Sequence, residues 1–358
     1  MKIVYLVPNI NRCGPIEVAI NIAKNLKSKE IYFVSIFGDK NDQSLIKQLK
    51  SFGFKVKSFY LTKSDIIFNR FDKVQNFISK ISPDVIHSHG IQADYILSKI
   101  SSKGLKVSTI HSNYKEDYNE QFWPIVSKML EKWHYSMHKK IDINVCCSES
   151  VYFEAVKHIN NCIFIRNGID VNLFSGKKLL KRSEIGVPRD ATVYLYLGRL
   201  IRRKKVPELL TLFKKSCNEK DILIIAGDGN EYDKCKSLAN KQVKFVGYVN
   251  NPRDYLRISD VYISNSSSEG LSMSVLEAIA SGNKLLLSNI LSHRECLKMS
   301  EKDTGYTFNE ENFLAKKKLV DKLVKAKTKV DENTLYSISA KRMANEYEQI
   351  YVRKESET

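Results

Sequence analysis

No apolar stretch in these 358 residues approaches the ~20 needed to cross a bilayer. The opening Met1-Lys2-Ile3-Val4-Tyr5-Leu6-Val7-Pro8 is too brief for a secretory signal and reads as a first core strand. Seven cysteines, an odd number, lie at 13, 146, 147, 162, 217, 235 and 296 without a C-x-x-C pair. Adjacent Cys146 and Cys147 have the wrong geometry for a routine disulfide or a zinc site. With neither thiol pairing nor an export signal, the expected compartment is a reducing cytosol. Low-complexity runs are missing too, and 43% hydrophobic content marks a globular chain. Acidic residues are in short supply: 40 against 58 basic ones, a net charge of +18, with the excess split evenly about residue 166. A charge carried by the whole body suits an anionic membrane surface or nucleic acid. No zinc-finger spacing or aromatic RNA-binding consensus accompanies it, which speaks against nucleic acid. A lysine-rich coding bias with no function is the bland alternative.

The chain is too long for one ordinary core and suits two domains. Strand-like runs at 3–7, 31–36, 56–60, 84–87, 105–110 and 141–147 alternate with helical ones at 16–26, 74–81 and 93–100. The second half repeats this logic, with strands at 192–197, 222–226, 243–246, 261–264 and 285–287 and helices such as 207–217 between them. Such alternation means parallel sheets covered on both faces. The class is α/β: two facing Rossmann-like domains, with ligands at the carboxyl ends of the strands. The polar connector 167–190, with Gly168, Gly176, Gly186 and Pro188, places the boundary. We expect domains at 1–168 and 169–335, then a terminal helical segment at 336–358.

The run Ser268-Glu269-Gly270-Leu271-Ser272-Met273-Ser274-Val275-Leu276-Glu277 sets two carboxylates eight residues apart, one before a helix and one inside it. A strand, a turn containing Gly270 and a helix start at Ser272, Met273 and Ser274 make an anion site, because free N–H groups converge there. Carboxylates would repel phosphate, so Glu269 and Glu277 should face neutral hydroxyls. Ser274 to Glu277 also reads as a capping box, which would give Glu277 a purely structural task. Upstream, Gly198-Arg199-Leu200-Ile201-Arg202-Arg203-Lys204-Lys205 follows a strand, and cations there suit a diphosphate. A solvated basic loop is the bland reading. Ala226-Gly227-Asp228-Gly229 and Gly247-Tyr248 end two further strands. In the first half, Cys13-Gly14-Pro15 joins a strand to a helix, and His87, His89 and His111 stand at strand ends. No carboxylate or thiol set lies beside His87 and His89 in sequence, so no metal site is expected.

Taken in order, these motifs resemble glycosyltransferase family 4, retaining enzymes of the GT-B fold with an E-x7-E signature. The resemblance runs through Gly14, the P-D-V-I-H-x-H pattern at His87 and His89, His111 and Asn167-Gly168-Ile169-Asp170. It continues with the G-R-L turn at Arg199, Lys204, Gly227 and Glu269 with Glu277. Family members often have glycine after the lysine, where this chain has Lys205. The resemblance implies transfer of a sugar from a nucleotide diphosphate sugar, a UDP-hexose or UDP-N-acetylhexosamine, to an acceptor hydroxyl. It implies an N-terminal acceptor domain, a C-terminal donor domain and a last helix that crosses back to the first. Arg199 and Lys204 would steady the leaving phosphate, Glu269 the donor sugar and Glu277 the ribose. His111 would meet the sugar or the β-phosphate. Gly14, Gly227, Tyr248 and the backbone from Gly270 through Leu271, Ser272, Met273 and Ser274 would line the donor. His87 and His89 are acceptor-side candidates. No D-x-D motif is present, so neither a divalent metal nor any other cofactor is expected.

With the basic body, this reading points to a lipid-linked saccharide acceptor in bacterial surface polysaccharide synthesis, with peripheral contact at the inner membrane face. Nucleic acid is not an expected partner. Two alternatives stand beside it: a GT-B sugar-nucleotide epimerase, and a non-catalytic basic α/β protein that binds nucleic acid. Residues 117–140 hold no catalytic candidate. There Phe122, Val126, Met129, Leu130, Trp133 and Met137 form one helical face, expected to be core, with a membrane-docking face as the sharper option.

Overall fold

The computed structural model describes residues 1–27, 29–38, 41–174, 180–324 and 330–352. Gly176 of the predicted connector and the last six positions of the predicted terminal segment lie outside them. Contacts divide the chain into two units: Met1–Gly168 with Ala340–Thr358, and Ile169–Ser339.

Unit 1 is built on seven parallel strands: β1 (Lys2–Val7), β2 (Glu30–Ser35), β3 (Lys55–Ser58), β4 (Val85–His89), β5 (Leu105–Ile110), β6 (Ile143–Cys146) and β7 (Cys162–Phe164). Their spatial order is β3-β2-β1-β4-β5-β6-β7. Ile3 to Val7 are fully buried on both faces of β1, which is why the strand reads as a continuous apolar run and not an alternation. The order reverses between β1 and β4, the place where open α/β sheets bind ligands at their carboxyl ends.

The last helix, Ala340–Val352, belongs to this unit. Its buried Ala340, Met343, Ala344, Tyr347, Ile350 and Tyr351 form one stripe at three- and four-residue steps. Arg342 donates to the carbonyls of Arg166 (2.9 Å) and Asn167 (3.2 Å). Tyr347 Oη is 2.8 Å from Thr109 Oγ1 on β5.

Unit 2 has six parallel strands: β8 (Thr192–Leu197), β9 (Asp221–Ala226), β10 (Val243–Gly247), β11 (Val261–Ser264), β12 (Lys284–Ser288) and β13 (Gly305–Phe308), in the order β10-β9-β8-β11-β12-β13. The order reverses between β8 and β11. Its core gathers Tyr194, Tyr196, Leu209, Phe213, Ile225, Val261 and Phe313. Strands β7 and β13 were not foreseen. Each is an edge strand of three or four residues, too short to show a period.

One expectation is overturned in unit 1. Residues 117–140, expected to bury one apolar helical face, fall in two helices, Tyr114–Asn119 and Pro124–His138, with Pro124 in the first turn of the second. That helix buries Ser127, Glu131, His134, Tyr135, Met137 and His138, while Phe122, Val126, Met129 and Trp133 are exposed. Of the predicted face, Met137 is buried as expected and Leu130 half-buried, but the other four point outward. Polar partners decided this: Ser127 Oγ donates to the carbonyls of Tyr118 (2.9 Å) and Phe122 (3.1 Å), His134 pairs with Tyr118 Oη (3.0 Å), and His138 with Asn144 Oδ1 (2.7 Å).

Candidate functional site

The site of unit 2 grows from the ends of β8 and β11, the neighbours at the strand-order reversal. After β8 the chain turns through Gly198, Arg199 and Leu200, makes one tight turn at Arg202–Lys204, and enters the helix Val206–Ser216 through Lys205. Lys205 holds φ 45° and ψ 44°, the left-handed region that favours glycine. That conformation sends Lys205 outward, exposed, and leaves Lys204 with its side chain only 16% exposed. The loop after β11 is stitched onto this turn. Ser267 N donates to Arg203 O (2.9 Å), and Asn265 Nδ2 to Lys205 O (3.3 Å).

Between the two loops lies Glu269. Its Oε1 accepts from Lys204 Nζ and from Ser266 Oγ (2.7 Å), and Arg203 Nη1 stands 3.4 Å from its Oε2. Arg203 Nη1 also donates to Ser268 O (2.7 Å). Burial pushes the Glu269 carboxyl up, but Lys204, Arg203 and their neighbours outweigh it, and the group is held down at about 2. The Lys204 ammonium is lowered, chiefly by burial, against the opposing pull of Glu269. Arg199 is exposed, and among the described residues no hydrogen bond or ion pair occupies its side chain. Lys204 and Arg203 thus flank one carboxylate, and Arg199 lies near enough to help lower the Lys204 ammonium, an excess of positive charge fit for a dianionic group.

Leu271 and Ser272 are buried, and Ser272 is the N-cap of the helix Met273–Ala280, with no side-chain cap bond. The helix therefore starts earlier than a capping box at Ser274 requires. Glu277 sits a full turn inside, partly buried, and the capping-box reading fails. Tyr262 Oη donates to Leu197 O (3.3 Å) at the end of β8. Gly282 closes the helix at φ 74°. Gly227 serves packing: a Cβ there would lie 1.8 Å from the Gly198 carbonyl oxygen, and its N–H donates to Gly247 O (2.7 Å). Tyr248 is 66% exposed.

Sequence reasoning missed Arg203, Ser266 and His293. His293 is fully buried, its Nδ1 3.0 Å from Ser288 Oγ and its Nε2 without a hydrogen-bond partner among the described residues. Burial drives its pKa down to about 4, with Glu269 pulling the other way. Arg203 was visible only as one cation among four in a row, since nothing local tells which of them turns inward.

In unit 1 the predicted residues separate. His87 is fully buried, with Nδ1 2.7 Å from Tyr351 Oη and Nε2 2.7 Å from Thr109 Oγ1. Both nitrogens are used inside the unit, so His87 ties the last helix to the sheet. His89 is also buried. Its Nδ1 is 2.8 Å from His111 Nε2, and among the described residues its own Nε2 has no hydrogen-bond partner. Burial depresses His87 to about 3 and His111 to about 4, and takes His89 well below its usual value, so all three are neutral at pH 7. Gly14 is exposed, and a Cβ there would meet nothing within 4 Å. Packing gives no reason for that glycine.

A further cluster joins Asp94, His134 and His138, whose candidate ligand atoms lie within 4.8 Å of one another. It escaped notice because helix packing alone brings residue 94 beside residue 134. These residues could hold a metal ion, but most of their atoms are engaged. Asp94 Oδ1 accepts from Ser88 (2.6 Å) and Ser108 (2.7 Å), while His138 bonds Tyr114 Oη (2.8 Å) and Asn144. His134 Nε2 stands 3.8 Å from Asp94 Oδ2, ion-pair reach but too long for a hydrogen bond.

Comparison with known proteins fits this architecture. Residues 17–173 match the model "Glycosyltransferase Family 4", and residues 178–342 match "Glycosyl transferases group 1". The O-antigen biosynthesis glycosyltransferase WclY of Escherichia coli is 26% identical over 306 residues, 81% of this chain and 80% of its own. An E. coli UDP-Gal:alpha-D-GlcNAc-diphosphoundecaprenol alpha-1,3-galactosyltransferase is 23% identical over 290 residues, 75% of this chain and 71% of its own. Among solved structures, Anabaena Alr3699/HepE in complex with UDP superposes with a TM-score of 0.76 at 17% identity, over 98% of this chain and 99% of that one. With both halves matched and two Rossmann-like units in sequence, the chain belongs to glycosyltransferase family 4 and has the GT-B fold.

Proposed function

We propose that this glycosyltransferase is a retaining, metal-independent enzyme that moves a hexose or N-acetylhexosamine from UDP to a hydroxyl of a lipid-linked saccharide in surface polysaccharide synthesis. The observation that carries the reading is the buried Lys204–Glu269 pair, set beside Arg203 and Arg199 at the strand-order reversal of unit 2. A diphosphate entering there meets an excess of positive charge already fixed by the fold, so stabilising the leaving group needs little reorganisation. Its equatorial oxygens bond Arg199 and Lys204, while Glu269, kept ionised, accepts from sugar hydroxyls. Glu277 is assigned to the ribose hydroxyls. Gly227, Tyr248 and the backbone from Gly270 to Ser274 are proposed to line the nucleotide.

In the transfer, the bond between the anomeric carbon and the β-phosphate oxygen breaks, and a bond from that carbon to the acceptor oxygen forms. The acceptor proton passes to the departing phosphate, so no protein base is required. From unit 1 we propose His111 as the contact with sugar or phosphate. Neutral at pH 7, it donates or accepts one hydrogen bond without adding charge, and its Nε2 bond to His89 fixes its ring. The relatives support this substrate class by name: one is an O-antigen enzyme, another uses UDP-Gal and a diphosphoundecaprenol acceptor. The basic body suits peripheral contact with an anionic membrane, where such acceptors reside.

The test is incubation with a panel of UDP- and GDP-sugars, with and without lipid-linked acceptor extract and with and without chelator, read by mass spectrometry. Expected is consumption of a UDP-sugar with an acceptor gaining one sugar, unaffected by chelator. No consumption of any donor overturns the reading. Donor converted to an isomer without acceptor would mark an epimerase instead.

A further inference from the structure

Helix Pro124–His138 is inside out for a water-soluble surface. At ~100° per residue, Ile125, Val126, Lys128, Met129, Lys132, Trp133 and Ser136 share one arc, and all are exposed. Ile125 is 78% exposed and Met129 67%, and Trp123 just before the helix reaches 83%. The opposite arc is the one anchored, through the Ser127, His134 and His138 bonds described above. Isolated exposed apolar residues are ordinary, but a contiguous set on one helix marks a surface that something else covers.

The patch extends beyond this helix. Tyr95 packs against Trp133 with ring centres 5.8 Å apart, and its hydroxyl donates to Asn69 Oδ1 (2.8 Å). Next to Asn69, Phe68 and Ile67 are 63% and 71% exposed, with the Arg70 guanidinium 5.0 Å over the Phe68 ring.

The charges on the helix arc choose the occupant. Lys128 and Lys132 are its only ionised groups, and the arc carries no carboxylate. A second copy meeting this face about a two-fold axis would set lysines against lysines, in a protein already at +18. A surface with an apolar interior and anionic headgroups fits both features: Trp123, Ile125, Met129 and Trp133 enter the acyl boundary, and the lysine heads reach back to phosphate.

We propose that this arc of helix Pro124–His138, with Phe122 and Trp123, docks unit 1 on an anionic lipid bilayer. The proposal rests on the membrane-peripheral part of the function reading above and gives it a surface.

The chain's two tryptophans, Trp123 and Trp133, both lie on this face, so selectively excited tryptophan emission reports it alone. The full-length protein is mixed with phosphatidylcholine vesicles with or without phosphatidylglycerol, and binding is read by flotation and by tryptophan emission. Expected are binding and a blue shift with phosphatidylglycerol vesicles, both weakened by salt. The triple variant Trp123→Ser/Ile125→Ser/Met129→Ser should bind about tenfold or more weakly. Lys128→Glu/Lys132→Glu should lose the preference for phosphatidylglycerol. UDP binding, followed calorimetrically on the same samples, should be unchanged in both. Wild-type protein that ignores vesicles, or a triple variant that binds as well as wild type, overturns the proposal. So does self-association that the triple variant abolishes while vesicles stay unbound. UDP binding without vesicle binding sinks the docking face and spares the transfer reading; vesicle binding without nucleotide binding does the reverse.

Discussion

The two units share a plan and differ in what stands at its key position. Each is a doubly wound parallel sheet whose strand order reverses beside its first strand, at β1 and β4 in one and at β8 and β11 in the other. In unit 1 that position carries His87 and His89, with His111 just past the end of the next strand, all driven neutral by burial and bonded to one another or to hydroxyls. In unit 2 it carries Lys204, Arg203 and Glu269, where cations keep a buried carboxylate ionised against desolvation. Topology supplies a place for a ligand. Whether that place is charged or neutral follows from the neighbours that burial leaves there.

The largest test of that contrast is removal of the charges. Lys204→Ala should lower transfer by about 10²–10³-fold, the usual cost of losing one group that steadies developing charge. Initial-rate kinetics with the identified donor would check it, and near-normal transfer would strip Lys204 of its role. Melting curves are needed alongside, because a buried Glu269 stripped of its closest cation, with only Arg203 left beside it, destabilises the fold by up to ~3–5 kcal/mol. Glu269→Gln with Lys204→Met, which removes both charges, should recover stability but not transfer.

Glycines in the corresponding loops should also part company. Gly227→Ala drives a Cβ into the Gly198 carbonyl and should cost more than ~4 kcal/mol in urea denaturation. Gly14→Ala meets open space and should lie within ~0.5 kcal/mol of wild type. If Gly14→Ala nevertheless slows transfer, that loop approaches a ligand.

Acid should separate the units next. A histidine held neutral by burial costs nothing above its ordinary value of 6.5. As pH falls below that, the unfolded chain takes up a proton that the folded one refuses, and stability drops until the folded value is reached. Unit 1 holds four such groups, His87, His89, His111 and His138, and unit 2 holds one, His293. A group lowered from 6.5 to about 4 removes about 3 kcal/mol by pH 4. Glu269, lowered from 4.5 to about 2, behaves differently: its contribution is whole above pH 4.5 and is lost as pH falls toward 2. Unit 1 should therefore unfold first. Emission from Trp123 and Trp133, both in unit 1, should change at higher pH than the bulk of the far-ultraviolet circular dichroism. Coincident transitions would show that the units unfold together.

The smallest expected effect is a gain. Lys205→Gly relieves a left-handed conformation and should stabilise unit 2 by about 1 kcal/mol, read as a higher melting temperature.

Much of this protein follows from local sequence. Alternating runs of Ile, Val and Leu with amphipathic stretches specify parallel strands and helices wherever both faces of a sheet are covered, as from Ile3 to Val7 and from Ile222 to Ala226. The turn at Arg199 to Lys204 and the run from Glu269 to Glu277 stand out because strand ends and helix starts have local signatures. Three things only the tertiary structure decided. Which cations turn inward depended on the left-handed backbone at Lys205, beyond which Lys205 stays exposed while Lys204 and Arg203 face Glu269. His87 was set to hold the last helix because Tyr351 and Thr109, far away in sequence, close on both its nitrogens. The helix Pro124–His138 turned its apolar face outward because buried partners for Ser127, His134 and His138 lie on other elements. A periodic pattern reveals that a helix has two faces, but hydrogen bonds across the fold choose which one goes in.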